Sequence, residues 1–171
     1  MAFHLRESRH SDIPALAALH VQTFNETHRG GRPGGPALEL RERQWQESFE
    51  RRDGMRLCYV VEDDRGELVG FAKGTSHDGS VPGYAGELDK IYVLQRVQRR
   101  GVGQRLLCAV ARRFLEQGIT SMLLFGDAAN PSNGFYERFG AERLYSERGE
   151  FHGGYGWRDL HALVGRCKGS S

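Results

Sequence analysis

The sequence predicts a single α/β domain in which a mixed sheet is flanked by helices. Its apolar residues recur first at three- and four-residue steps, then at two-residue steps, then at helical steps again. The resulting order is strand, two helices, three strands, helix, strand, helix, two strands. The 171 residues, 39% hydrophobic and 27% charged, are ordinary for one continuous core, with no internal repeat or low-complexity block. One domain over residues 1–165 with a short tail over 166–171 is expected.

Phe3 to Glu7 alternates weakly and reads as an edge strand. Ser11-Asp12-Ile13-Pro14 supplies capping residues and a first-turn proline for the helix that follows. Ile13, Leu16, Ala17, Leu19, His20 and Phe24 form its buried stripe. Gly30 to Pro36 is a loop, and Leu38 to Arg52 is a second helix with Leu40, Trp45 and Phe49 among charges. Leu57 to Val61, the turn Asp63-Asp64-Arg65-Gly66 and Leu68 to Thr75 form a hairpin. After the loop Ser76 to Gly83, Gly86 to Val93 is a third sheet strand. Val102, Leu106, Leu107, Val110, Ala111, Phe114 and Leu115 make a strong helical stripe that stops at Gly118. Met122 to Phe125 is a short buried strand, Ser132 to Phe139 a helix, and Ala141 to Arg148 and Gly154 to Val164 are two final strands.

The formal charge of +2 falls short of the basic excess of a nucleic-acid binder, although arginines are dense from Arg96 to Arg113. No apolar run approaches the roughly 20 residues of a membrane helix, and the first residues lack the apolar segment of a secretory signal. A cytoplasmic protein is expected, with neither nucleic acid nor membrane as partner. Cys58, Cys108 and Cys167 lack metal-ligand spacing, and Cys108 lies in an apolar helical stripe. Neither a disulfide nor a metal is expected.

Chemistry concentrates where the strand ending at Val93 meets Gln98-Arg99-Arg100-Gly101-Val102-Gly103 and the helix beginning there. A first helical turn presents unpaired N–H groups and the positive end of its dipole, so an anion is held without specialised side chains. Gly101 and Gly103 carry no Cβ to obstruct a pyrophosphate, and Arg99 and Arg100 can add charge-assisted hydrogen bonds. Neither the Gly-Lys-Ser/Thr of a phosphate-binding loop nor a Gly-x-Gly-x-x-Gly dinucleotide fingerprint is present, so ATP and NAD are not favoured.

The Gln-x-x-Gly-x-Gly turn follows Leu-x-x-Ile-x-Val and precedes Gln104-Arg105-Leu106-Leu107. It resembles the coenzyme A motif of the GCN5-related N-acetyltransferase (GNAT) family. The segment Asn130 to Ala141 is similar to that family's Asn-x-x-Ala-x-x-Phe-Tyr-x-x-x-Gly-Phe element. It departs from that element where Ala129 holds the usual place of the Asn, with Asn130 one step later, and where Ala141 replaces the final Phe. The resemblance runs from about Leu5 to Leu163, and includes Arg6-x-x-x-x-x-Asp12 and Tyr155-Gly156-Trp157-Arg158-Asp159-Leu160.

The resemblance implies a mostly antiparallel sheet of six or seven strands flanked by about four helices. It also implies acetyl-coenzyme A as cosubstrate and transfer to a primary amine by direct attack in a ternary complex. The pantetheine arm would lie where the strand ending at Val93 splays from the one beginning near Met122, gripped by the main chain of Ile91, Tyr92 and Val93. The turn Gln98, Arg99, Arg100, Gly101, Val102, Gly103 and Gln104 would hold the pyrophosphate, with Asn130 and Ser132 as further contacts.

Tyr136 is the candidate acid, because a phenol stays protonated at neutral pH and can donate to a departing thiolate. Glu87 is the candidate base, with Asp89 second; two-residue alternation puts both on one face. The N–H near Val93 would polarise the thioester carbonyl. Phe24, Trp45, His77, Tyr84 and Trp157 are candidate acceptor-pocket residues. A polyamine, an aminoglycoside, an amino acid and a peptide N-terminus all fit, and a homodimer is left open. Two other classes stand beside this: a module that senses acyl-coenzyme A without turnover, and a nucleic-acid-binding domain using Arg96 to Arg113. Insensitivity of a cellular effect to loss of Tyr136 or Glu87 would mark the first, and steep salt dependence the second.

Overall fold

The computed structural model describes residues 2–51 and 56–167. Seven strands form one sheet: β1 (His4–Glu7), β2 (Arg56–Glu62), β3 (Leu68–Ser76), β4 (Gly86–Val93), β5 (Met122–Leu124), β6 (Glu142–Tyr145) and β7 (Phe151–Trp157). Their spatial order is β1-β2-β3-β4-β5-β7-β6, and every pairing is antiparallel except β4 with β5. Five α-helices lie among the described residues: α1 (Ile13–His28), α2 (Leu38–Glu50), α3 (Val102–Glu116), α4 (Asn133–Arg138) and α5 (Leu160–Gly165). None is long and apolar enough to cross a membrane.

The sheet carries helices on both faces. α3 buries Val102, Leu106, Leu107, Val110, Ala111 and Phe114 against one face. Glycines on β3 let it lie close: a Cβ at Gly70 would meet Leu106 and Val102 methyl carbons at 3.2 Å, and one at Gly74 would meet the Phe114 ring at 3.0 Å. On the other face α1 and α2 press His20 and Trp45 against Phe71, with ring centroids 5.3 Å apart in each case. Arg6 ties β1 to the start of α1 through two hydrogen bonds to Asp12, at 2.8 and 2.9 Å.

Four expectations are corrected. The run Gly154 to Val164 is not one strand: β7 ends at Trp157, the Asp159 carboxylate accepts the His161 N–H at 2.9 Å as a helix cap, and Leu160 and Leu163 bury one face of α5. The strand expected to reach Arg148 ends at Tyr145, because residues 146–150 form the turn into β7, closed by the Ser146 N–H on the Glu150 carbonyl. On α2 the inward residues are Arg41 and Trp45, four apart, while Leu40 is 38% exposed. Finally, Cys108 and Cys167 form a disulfide, with Cα atoms 6.1 Å apart. Cys108 is buried in its stripe as expected, and α5 returns the chain to α3, which brings Cys167 to it. Arg52, the expected end of the second helix, and residues 168–171 of the expected tail lie outside the described residues.

Candidate active site

The site grows from an interruption in the sheet. β4 pairs with β5 only at Gly86 with Met122 and Glu87 with Leu123; β5 stops at Leu124 while β4 runs on to Val93. On its other side β4 stays paired with β3 up to Val93, and the Leu94 N–H continues the ladder to the Val69 carbonyl at 2.9 Å. Antiparallel ladders alternate residues that bond to a given neighbour with residues that bond away from it. Leu94 and Tyr92 therefore bond toward β3, and the main chains of Ile91 and Val93 point to the side that β5 has left. The Val93 carbonyl accordingly accepts the Gln98 side-chain amide at 3.2 Å.

A bulge precedes this stretch. Lys90 pairs with Lys73 and Leu88 with Gly74, so Asp89 is an extra residue. Beyond it the facing parity is reversed: Ile91 and Val93 share the α3 face with Ala72 and Gly70, and Tyr92 shares the α1 face with Phe71.

Between Val93 and α3 the chain makes a short 3-10 turn, Gln95–Val97, and reaches Gly101 with φ of 82°. Among the described residues Arg99 is the one non-glycine residue with a left-handed backbone, at 64°. No side chain caps α3, and the first amide bonded to the Gly101 carbonyl is that of Arg105, at 3.0 Å. The N–H groups of Val102, Gly103 and Gln104 are left for a ligand. A Cβ at Gly103 would find only ordinary contacts, 3.6 Å to Phe135 and 3.8 Å to Val93, so the space it leaves open lies beside those two side chains.

These parts enclose a cavity of about 1170 Å³. Ile91, Tyr92, Val93, Gln98, Arg99, Gly101, Gly103 and Gln104 line one wall, and Asn130, Ser132, Phe135 and Tyr136 are in the other. The Asn130 side-chain oxygen accepts the Ser132 N–H at 2.8 Å and shapes the start of α4. Of the expected contacts, Arg100 and Val102 do not line the cavity; Val102 is 1% exposed and anchors α3 in the core.

A second cavity of about 350 Å³ opens on the α1 and α2 side, with His20, Phe24, His28, Arg41, Asp89, Lys90, Phe125 and Asp127 in its lining. The two cavities share Ile91, Tyr92, Asn130 and Tyr136. Tyr136 thus stands at their junction, its ring packed against Tyr155 and Trp157. Burial pushes its phenol well above the ordinary tyrosine value, so the proton stays on oxygen. His20 is pushed down to about 3 by burial, then by the charges of Arg41, Lys90 and Lys73, and accepts the Trp45 indole N–H at 3.2 Å as a neutral ring.

Glu87 lines neither cavity. Its carboxylate lies 3.1 Å from His77 Nδ1, while His77 Nε2 accepts the Val81 N–H at 3.1 Å; Nδ1 therefore carries the ring proton and donates it to Glu87. Asp89 lines the second cavity and sits 3.6 Å from both Lys73 and Lys90. Of the expected pocket aromatics, Phe24 lines the second cavity, whereas Trp45, Tyr84 and Trp157 are core residues. Arg41, His28, Phe125 and Asp127 were not expected there. Only the four-residue step from Arg41 to Trp45 could have drawn attention to one of them.

A seven-stranded mixed sheet opened beside a helix with uncapped amides is an arrangement that can receive a phosphate-bearing cosubstrate. The sequence matches the acetyltransferase (GNAT) family over residues 16–141, and the chain belongs to that family. It is 32% identical over 165 residues to YuaI of Bacillus subtilis (strain 168), described as an uncharacterized N-acetyltransferase, covering 93% of this chain and 95% of that protein. Two solved structures share the fold. One is the PaiA N-acetyltransferase of Thermoplasma acidophilum in complex with coenzyme A, with TM-score 0.66, 16% identity and coverage of 91% of this chain and 98% of that one. The other is a GNAT acetyltransferase of Brucella melitensis in complex with acetyl-CoA, with TM-score 0.61, 20% identity and coverage of 82% and 83%.

Proposed function

We propose that this acetyltransferase, one catalytic domain over residues 1–165, moves the acetyl group of acetyl-coenzyme A to a primary amine by direct attack in a ternary complex. The observation that carries the reading is the junction of two cavities at Tyr136, one fitted to a phosphate-bearing arm and one to an acceptor. The uncapped amides of α3 with Gly101 and Gly103 fit the pyrophosphate, and the open edge of Ile91 and Val93 fits the amides of pantetheine. Acetyl-coenzyme A supplies the activated thioester. The chain's own residues hold it in line with the amine, and the Val93 N–H polarises its carbonyl. Tyr136 donates its proton to the departing sulfur.

A β4 carboxylate takes up the amine proton. Glu87 is the less encumbered, since Asp89 lies within ion-pair distance of two ammonium groups while Glu87 receives one hydrogen bond from His77. Because Glu87 lines neither cavity, the proton reaches it through water. Free-thiol release measured across pH tests this: Glu87→Gln is expected to lower kcat about ten- to a thousandfold, and Asp89→Asn far less. The reverse ranking moves the role to Asp89. We place the reaction in the cytoplasm, where cells hold acetyl-coenzyme A.

A further inference from the structure

The second cavity contains a buried cation without a counter-ion. Arg41 is 7% exposed, its guanidinium lies 5.2 Å from the centre of the Phe24 ring, and Nη1 donates to Gln44 at 3.0 Å. Its Nε is buried with no hydrogen-bond partner, and Arg41 forms no ion pair among the described residues. A guanidinium does not relieve its burial by losing a proton, so an unpaired one inside a protein costs free energy until an anion meets it. The carboxylates lining the same cavity do not serve. Asp89 is held by Lys73 and Lys90, and an Asp127 oxygen accepts the Ala129 N–H at 2.9 Å.

We propose that the acceptor is an amino acid whose carboxylate pairs with Arg41 while its amine reaches the junction at Tyr136. This rests on the acetyl-transfer reading and names the substrate class of the same site. The planar fork of arginine matches a carboxylate with two parallel hydrogen bonds. The cavity, about 350 Å³, suits a molecule of that size. A polyamine or an aminoglycoside would bring like charge toward Arg41 and Lys90. In the reaction the amine nitrogen bonds the acetyl carbon, the carbon–sulfur bond breaks, and the thiolate takes the Tyr136 proton. The proton lost from nitrogen leaves through water to Glu87 and solvent, which restores Tyr136. The products are an N-acetyl amino acid and coenzyme A with a free thiol.

The experiment is thiol release from acetyl-coenzyme A with each of the twenty amino acids beside its carboxamide, which keeps the side chain and amine but removes the acid charge. At least one amino acid is expected to exceed its amide in kcat/KM by about ten- to a hundredfold, the range of a charged hydrogen-bonded pair. Arg41→Gln should raise KM for that amino acid by a similar factor, leave KM for acetyl-coenzyme A unchanged and abolish the preference over the amide. Arg41→Lys should restore part of it. Melting of Arg41→Gln should be no lower than that of the parent, because an unpaired buried charge is removed. Equal use of acid and amide, or an Arg41→Gln that slows both alike, overturns the proposal. Turnover of polyamines or amides alone overturns it while acetyl transfer stands. Should no amine release thiol, calorimetry with coenzyme A present decides. Amino-acid binding that Arg41→Gln abolishes upholds the subsite against the catalytic reading, and absence of binding in the parent overturns both.

Discussion

Tyr136 joins two properties that rarely coincide, deep burial and a place in the lining of both cavities. Tyr136→Phe keeps the ring packed on Tyr155 and Trp157 and removes only the hydroxyl, the proposed proton donor. It is expected to fold, to bind coenzyme A with unchanged affinity, and to lose roughly ten- to a thousandfold in kcat. A parent-like rate with a good acceptor would move the proton source to solvent. Since burial raises the Tyr136 phenol, its ionisation gives no alkaline fall in rate at ordinary pH. His20 gives a second test at this scale. Its ring is held neutral in the fold, with a pKa of about 3 against about 6.5 when unfolded. The unfolded chain binds the extra proton between these values, so the stabilisation is complete above pH 6.5 and is lost as pH falls toward 3. Urea unfolding should lose roughly 2–4 kcal/mol over that interval from this group. In His20→Asn, which keeps an acceptor for Trp45, that component should vanish; an unchanged slope assigns the acid sensitivity elsewhere.

At the scale of elements, the turn into α3 was legible in the sequence because its causes are local. Glycine at a left-handed position, an uncapped helix start and a preceding strand all lie within a dozen residues. The backbone also decides which glycine tests the turn. Gly101 has φ of 82°, so a bulky residue there strains the backbone whether or not a ligand binds. Gly103 has no such constraint, and its Cβ would meet only ordinary contacts. Gly103→Val should weaken coenzyme A binding by at least about tenfold in calorimetry while leaving melting within a few degrees, and unchanged affinity would make the turn a packing device. What the sequence hid depends on distant partners. Arg41 resembles any charge on an amphipathic helix until α1 covers it. Leu160 and Leu163 resemble strand residues until Asp159 caps the turn. Glu87 resembles any charge at a strand start until the fold sets His77, ten residues earlier, against its carboxylate.

For the molecule as a whole, the disulfide is the largest departure from expectation. Cys108 and Cys167 are 59 residues apart, and bridging them ties α5 to α3. Loop closure of that length contributes about 2–4 kcal/mol. Urea unfolding of the oxidised protein should therefore shift to lower denaturant on reduction, and Cys167→Ala should remove the difference between oxidised and reduced samples. Stability that ignores reductant in the parent would mean the bridge adds nothing. A reducing cytoplasm keeps such pairs as thiols, so thiol counting on protein taken from cells reports which form works there.

The parallel contact between β4 and β5 bears on how the two halves of the sheet are held together. It divides the sheet into a four-stranded wing, β1 to β4, and a three-stranded wing, β5 to β7, joined within the sheet at the pairs Gly86 with Met122 and Glu87 with Leu123. Two rungs of ladder resist spreading far less than the long pairings within either wing. On the proposed reading, a coenzyme arm laid along Ile91 and Val93 would supply the rungs that the chain omits, and cosubstrate would act as a clasp between the wings. Tyr136 and Arg41 reach the second cavity from opposite wings' helices, so such a clasp would set the span that the proposed acceptor must bridge.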